Sequence, residues 1–307
     1  MSGVVAAFVA LVSVAVLGFV VGRAGVLRAQ DELVLSRLAF FVAMPALLFA
    51  TVSAADLGSI FSPVLLTALA GVVVTQAVFV AVARFAWRRS RGEVTVGALA
   101  SSYVNAGNLG IPVAVYVLGD GALVAPILLT QLLVITPAAF LALDGGGRGA
   151  RRTSAGETLL RPLRNPLTVA SLLGLAVAAA GIDLPAMLMR PVELVGGAAV
   201  PLALLAYGLS LSGARPAAEG GHRRELVLVV VLKNLVQPAV AYLVGRYALG
   251  LDGTDLMAAT LFGALPTAQN IYVYAVHYDT ARALARGAVL VTTVLSIPIM
   301  TAVAALL

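Results

Sequence analysis

Apolar residues run along this chain in long uncharged stretches, not in the alternation of a half-buried strand or the narrow stripe of a soluble helix. Segments 1–22, 38–55, 57–83, 94–119, 121–143, 165–182, 194–214, 256–278 and 287–307 contain no Asp, Glu, Lys or Arg, and 226–245 is interrupted only by Lys233. About 20 mostly apolar residues cross roughly 30 Å of hydrocarbon. The pattern therefore predicts ten membrane-spanning helices, five on each side of the longest polar connection, 144–164. The expected fold is an all-α membrane protein with a five-helix repeat at 1–143, a loop at 144–164 and a second five-helix repeat at 165–307. An odd number of spans in each half makes the second repeat inverted relative to the first.

The halves echo each other in their interruptions. Pro45 in "FFVAMPALLFATVS" has a counterpart in Pro201 of "VGGAAVPLALLAYGLS", and Pro137 of "VITPAAF" has one in Pro298 of "LSIPIMT". The fourth span holds Asn105, Gly107, Asn108, Gly110 and Pro112, and the ninth holds Pro266, Gln269 and Asn270. In lipid, unwound backbone is tolerated only where protein buries it or a cavity receives it. Spans 4 and 9 are thus expected to break near mid-membrane, around Asn105–Pro112 and Leu265–Asn270, and by inverted symmetry to cross there. Broken helices expose N–H groups at a positive dipole end. Amide side chains add donors and acceptors, and glycine permits close backbone approach. Such residues in a single span can also serve only to hold helices together. Their recurrence in two repeat-related spans points to a polar chamber for a solute, most naturally an anion. The prolines of spans 2, 5, 7 and 10 lack neighbouring amides and read as kinks or packing features.

Composition fits a membrane. Hydrophobic residues make up 61% of the chain and charged residues 11%, against about 25% charged in soluble domains. The net charge of +6 is a topology signal. Of the 20 basic residues, 17 fall in odd-numbered connections or at their span edges, while Arg190 and Arg246 are in even-numbered ones. By the positive-inside rule, the odd connections are cytoplasmic and both termini lie outside the cytoplasm, as for a multi-pass protein of the cell inner (plasma) membrane. No soluble basic module exists to take nucleic acid. The start, Met1-Ser2-Gly3, lacks a basic n-region, so the first segment is expected to remain as a span. There is no cysteine, and no cofactor or metal site is expected.

Candidate chemistry is sparse. Asp56, Asp120, Glu193, Asp252, Asp255 and Asp279 all sit near span ends, which weakens the case for coupling through a buried carboxylate. Lys233 is the exception, about 12 Å along a helix from Glu225. An ionisable group at that depth is a functional candidate, although it could snorkel to the interface. With Asn234 and Gln237 it lies on one side of its span and favours an anionic substrate. His222 reads as a solvated loop residue, and His277 as an interfacial one. Tyr103, Tyr272 and Tyr274 flank the breaks and either line the cavity or pack, and Trp87 beside Arg88 and Arg89 reads as an interfacial anchor. No phosphate loop, metal-ligand cluster or nucleophile–base pair is present, so no enzyme is expected.

At these residues the sequence resembles the auxin efflux carrier family, which contains plant auxin exporters and bacterial organic-acid permeases. The likeness rests on "NAGNLGIP", through Asn105, Gly110 and Pro112, and on "ALPTAQNIYVYAVHY", through Ala264, Leu265, Pro266, Ala275 and Tyr278. It implies a scaffold of spans 1, 2, 6 and 7, a homodimer, a transport unit of spans 3–5 and 8–10, and elevator-like motion between them. The short central loop matches bacterial members. The expected function is secondary transport of small organic anions such as mono- or dicarboxylates. The substrate site is expected at Asn105, Gly107, Asn108, Gly110, Pro112, Pro266, Gln269, Asn270 and Lys233. A sodium- or proton-coupled exchanger of another inverted-repeat family, or a membrane receptor that binds without transport, are the competing readings.

Overall fold

The computed structural model describes residues 2–28, 30–54, 62–144, 166–212 and 222–307. The central loop 144–164 beyond Asp144, together with Asp56 and Arg215, lies outside the described residues. The chain forms helices α1 (Ser2–Arg23), α2 (Asp31–Ser53), α3 (Pro63–Ala86), α4 (Arg91–Ser102), α5 (Ile111–Tyr116), α6 (Ala125–Asp144) and α7 (Pro166–Ala180). It continues with α8 (Ala186–Gly197), α9 (Ala199–Ser212), α10 (Arg223–Ala248), α11 (Gly253–Ala264), α12 (Asn270–His277) and α13 (Arg282–Leu306). Among the described residues there is no strand, and the pairing of Val104 with Thr267 is an isolated antiparallel bridge.

Six helical stretches are long and apolar enough to cross a membrane: α2, α3, α6, α8 with α9, α10 and α13. Each of them leaves apolar side chains facing outward. Phe85, Met187 and Leu194 are each about four-fifths exposed, a pattern that water would penalise and a bilayer would not. Local chemistry sets the helix starts. Ser62 caps α3 by accepting from the Leu65 N–H at 3.1 Å. At α4, the Ser90 hydroxyl accepts from the Glu93 N–H and the Glu93 carboxylate accepts from the Ser90 N–H, a reciprocal capping box.

Small residues decide which helices touch most closely. A Cβ on Gly208 of α9 would stand 1.9 Å from the Ala15 carbonyl oxygen, and one on Gly18 of α1 would stand 2.4 Å from that of Leu205. These glycines let α1 and α9 pack backbone to backbone. In the same way Gly174 of α7 and Gly196 of α8 admit the backbone of α2 at Phe49 and Leu47. Two buried apolar clusters fill the interior, one around Phe40, Phe140, Tyr272 and Tyr274 and the other around Val113, Leu256, Phe262 and Leu265. The segment joining α4 to α5 and the one joining α11 to α12 run through the middle of the packed helices.

Candidate functional site

Helix α4 ends at Ser102, Tyr103 turns to φ −77°, ψ 105°, and the chain resumes helical geometry with a wide π-type turn at Ala106–Gly110 that runs into α5. Helix α11 ends at Ala264, and α12 starts at Asn270. The two gaps lie against each other. The Asn105 N–H donates to the Pro266 carbonyl at 2.9 Å, and the Ala268 N–H donates to the Tyr103 carbonyl at 3.1 Å. The first gap comes earlier than the sequence suggests. Pro112 occupies one of the first two positions of α5, where a missing N–H costs nothing, so the residues outside helical geometry are Tyr103–Asn105, upstream of the Gly-Pro pair.

A helix that stops inside a protein leaves carbonyls without partners, and an unpaired buried polar group costs about 1–3 kcal/mol. Side chains from three other segments answer them here. Thr267 Oγ1 donates to the Ala100 carbonyl at 2.6 Å, Gln237 Nε2 to that of Ser102 at 2.9 Å, and Gln131 Nε2 to that of Val104 at 2.9 Å. On the second gap, the Thr267 N–H donates to Thr292 Oγ1 at 3.0 Å. All of these side chains are buried. Sequence reasoning missed Gln131 and Thr292, and it placed Gln237 beside Lys233 and Thr267 inside the second gap without giving either this task. One polar side chain in an apolar span carries no periodic signal, and only the position of the gap reveals its task.

A cavity of about 170 Å³ opens at the meeting point, with Asn105, Gly107, Asn108, Gln131 and Asn270 supplying its polar wall. Tyr103, Tyr274 and α2 residues Leu47, Leu48 and Thr51 supply much of the rest, and among the described residues no charged side chain lines it. A Cβ on Gly107 would meet only Leu128 Cδ2 at 3.8 Å, so this position faces open space. A second cavity of about 250 Å³ has a mostly apolar wall, with Asn105, Thr267 and Gln269 lining it among α1, α9 and α13. Asn105 borders both. Gly110, Pro112, Pro266 and Lys233 border neither. Gly110 is packed against Val124 and Leu265.

Lys233 is fully buried, and its Nζ donates to the Gly263 carbonyl at 3.2 Å. Among the described residues it forms no salt bridge. Gly263 belongs to the last turn of α11, so the ammonium complements the negative end of that helix. The sequence suggested that the broken helices bring only positive ends to this region; the structure presents a C-terminal end to Lys233. Tyr272, two residues beyond Asn270, donates its hydroxyl to Glu32 at the start of α2. His277 is half-buried and stacks on Phe40 with ring centroids 3.8 Å apart.

Apolar helices of spanning length, enclosing an uncharged amide-lined chamber where two helices stop, are the architecture of a membrane transporter. Comparison with known proteins identifies the family. The chain matches the family described as membrane transport protein over residues 3–154 and 148–304, and it belongs to that family, the auxin efflux carrier family. A "Putative malonate transporter" of Rhizobium meliloti is 28% identical over 267 residues, covering 85% of this chain and 82% of that protein. An "Uncharacterized transporter" of Methanothermobacter thermautotrophicus is 28% identical over 290 residues, 92% of this chain and 91% of its own. "Auxin efflux carrier component 3a" of Oryza sativa subsp. japonica is 26% identical over 176 residues, 51% of this chain and 28% of the rice protein. The protein is a multi-pass transmembrane transporter.

Proposed function

We propose that this transporter is a secondary carrier of small organic anions, mono- or dicarboxylates, working by alternating access. One observation carries the reading: the 170 Å³ chamber at the two helix gaps is walled by Asn105, Asn108, Asn270 and Gln131, and among the described residues no carboxylate lines it. Helix α12 begins at the chamber with Asn270. The Ile271 and Tyr272 N–H groups already donate to the Ala268 and Gln269 carbonyls, so the helix start offers an anion its positive dipole end and the Asn270 amide. The amides offer hydrogen bonds without a fixed counter-charge, so the anion can leave as well as enter. The names of the malonate and auxin relatives point to carboxylates as well.

In this reading α4 with α5, α11 with α12, α8 with α9, and the remaining helices make ten spans in two inverted repeats, 1–143 and 165–307. Repeat-related pairs behave alike, since α1 against α9 and α7 against α2 are both joined through glycines. The scaffold comprises α1, α2, α7 and α8 with α9, paired in a homodimer, and the other helices move against it as an elevator. Gly107 and Asn270 face the anion. Gly110, Pro112 and Pro266 shape the gaps, and Lys233 acts from behind the chamber by holding the end of α11. Both termini lie outside the cytoplasm, as the arginine distribution favours.

The test is uptake of radiolabelled malonate and phenylacetate into proteoliposomes, with and without sodium and pH gradients. Saturable uptake that the unlabelled carboxylates compete supports the reading, and uptake no faster than in protein-free vesicles for a full panel of carboxylates refutes it.

A further inference from the structure

A cavity larger than the amide chamber, about 580 Å³, lies apart from the helix gaps. The first half of α2 lines it through Arg37 and Phe41, and the junction of α12 with α13 lines it through His277, Asp279 and Arg282. It shares no lining residue with the chamber.

Two guanidiniums from different helices thus face one space. Arg37 is exposed, and among the described residues it forms no salt bridge. Arg282 has partners, but both take the same nitrogen. Its Nη2 lies 3.1 Å from the Asp279 carboxylate and donates to the Val276 carbonyl at 3.4 Å. Nη1 and Nε keep their donors for another group. The Asp279 side chain is 85% exposed, so water screens most of its charge. The carboxylates at the start of α2 are engaged elsewhere: Asp31 accepts from the Arg28 N–H at 2.7 Å, and Glu32 accepts from Tyr272. The lining therefore sets two guanidiniums against one well-solvated carboxylate. Like charges gathered in this way suit an anion, and the forked donors of arginine match the oxygens of a phosphate.

We infer that this cavity binds the phosphate group of an anionic phospholipid, held between Arg37 and Arg282. The apolar part of the wall favours a lipid over a soluble phosphate ester. Phe41 lines the cavity and is half exposed, and it shares an outward face of α2 with Val34, Leu38 and Val42. An acyl chain can follow that face from the cavity into the bilayer. In the orientation proposed above this rim is cytoplasmic, the side on which basic pockets between helices meet anionic headgroups. A phosphate bonded to both arginines ties α2 to α13.

Binding is measured without transport, so its outcome is independent of the carrier reading. Delipidated protein in detergent is titrated with dioleoyl phosphatidylglycerol, dioleoyl phosphatidylcholine or glycerol phosphate, and bound ligand is counted per protomer by native mass spectrometry. Saturable retention of phosphatidylglycerol, in preference to the other two, is expected. Arg37→Gln and Arg282→Gln should each weaken it by about tenfold or more, the loss of a hydrogen bond between charged groups. Arg84→Gln, on the same basic side but outside the cavity, should leave it unchanged. Asp279→Asn should tighten it by about twofold to threefold by releasing Nη2. If Arg282→Gln disturbs the turn before α13, Arg37→Gln and Asp279→Asn carry the test. Phosphatidylglycerol and phosphatidylcholine retained equally, or phosphatidylglycerol binding that the arginine variants do not weaken, overturns the site. Glycerol phosphate bound as tightly as phosphatidylglycerol, with the same dependence on both arginines, overturns the lipid as occupant and assigns the cavity to a soluble phosphate ester.

Discussion

Replacing Thr292 by valine removes one hydroxyl from the centre of the molecule and little else. Thr292 is fully buried, its Oγ1 accepts from the Thr267 N–H at 3.0 Å, and the same hydroxyl donates to the Ala288 carbonyl at 2.7 Å. The Ala288 carbonyl keeps its place in the α13 ladder after the substitution. The Thr267 N–H does not have that reserve, because the bridge bonds run through Asn105 to Pro266 and Ala268 to Tyr103 instead. Valine matches threonine in shape, so the cost is that of one orphaned buried donor, about 1–3 kcal/mol. This corresponds to roughly a 5- to 150-fold change in an equilibrium constant. Thermal unfolding of purified protein in detergent reads it as a fall in Tm of about 2–4 °C for each kcal/mol. Thr292→Ser keeps the acceptor and gives up a methyl group, about 0.8 kcal/mol, so it should be the more stable variant. A valine variant at least as stable as the serine variant would refute the claim that this hydroxyl secures the second gap.

Three further predictions concern the chamber. Asn105→Ala and Asn270→Ala should each weaken carboxylate binding by about fivefold to tenfold, the value of one lost hydrogen bond, in a protein that still purifies as a folded species; normal competition curves for both variants would remove the chamber from consideration. Gly107→Leu projects into open space beside Leu128, so it should block labelled substrate binding with Tm unchanged, and undiminished binding counts against that placement. Lys233→Met loses the bond to Gly263 behind the chamber. Uptake should fall at least about tenfold while the binding constant shifts by less than about threefold, which is under 1 kcal/mol; equal losses in both would mean that the ammonium touches the anion.

The apolar helices could be read from the sequence because a stretch of some twenty uncharged residues has few other stable environments. The gaps were marked by composition as well, since Asn105, Gly107, Asn108 and Gly110 are poor helix formers in oil. Their placement was less legible. Pro112 looks like a break but sits harmlessly among the first residues of α5, and the residue that leaves helical geometry is Tyr103. Of the side chains that make the gaps tolerable, Gln131 and Thr292 were invisible because each is one polar group in an apolar run, and Gln237 and Thr267, although their places beside Lys233 and in the second gap could be read, gave no sign of what each side chain would hold. The partner is up to 167 residues away, as for Thr267 and Ala100. Lys233 drew notice as a buried charge, but which helix end it faces depends on how α10 and α11 pack. The bond from Tyr272 to Glu32 spans 240 residues, a separation over which no local pattern pairs them.

Substrate counterflow tests the central claim most directly. Proteoliposomes loaded with a high concentration of unlabelled carboxylate are diluted into a trace of the same carboxylate carrying label, malonate in one series and phenylacetate in another. A carrier whose chamber alternates between the two sides draws label inward against its own gradient, so the account predicts a transient overshoot above the equilibrium level for at least one of the two anions, abolished in Gly107→Leu. Label that rises monotonically to equilibrium at the rate of protein-free vesicles, for both anions and with or without imposed gradients, would contradict it.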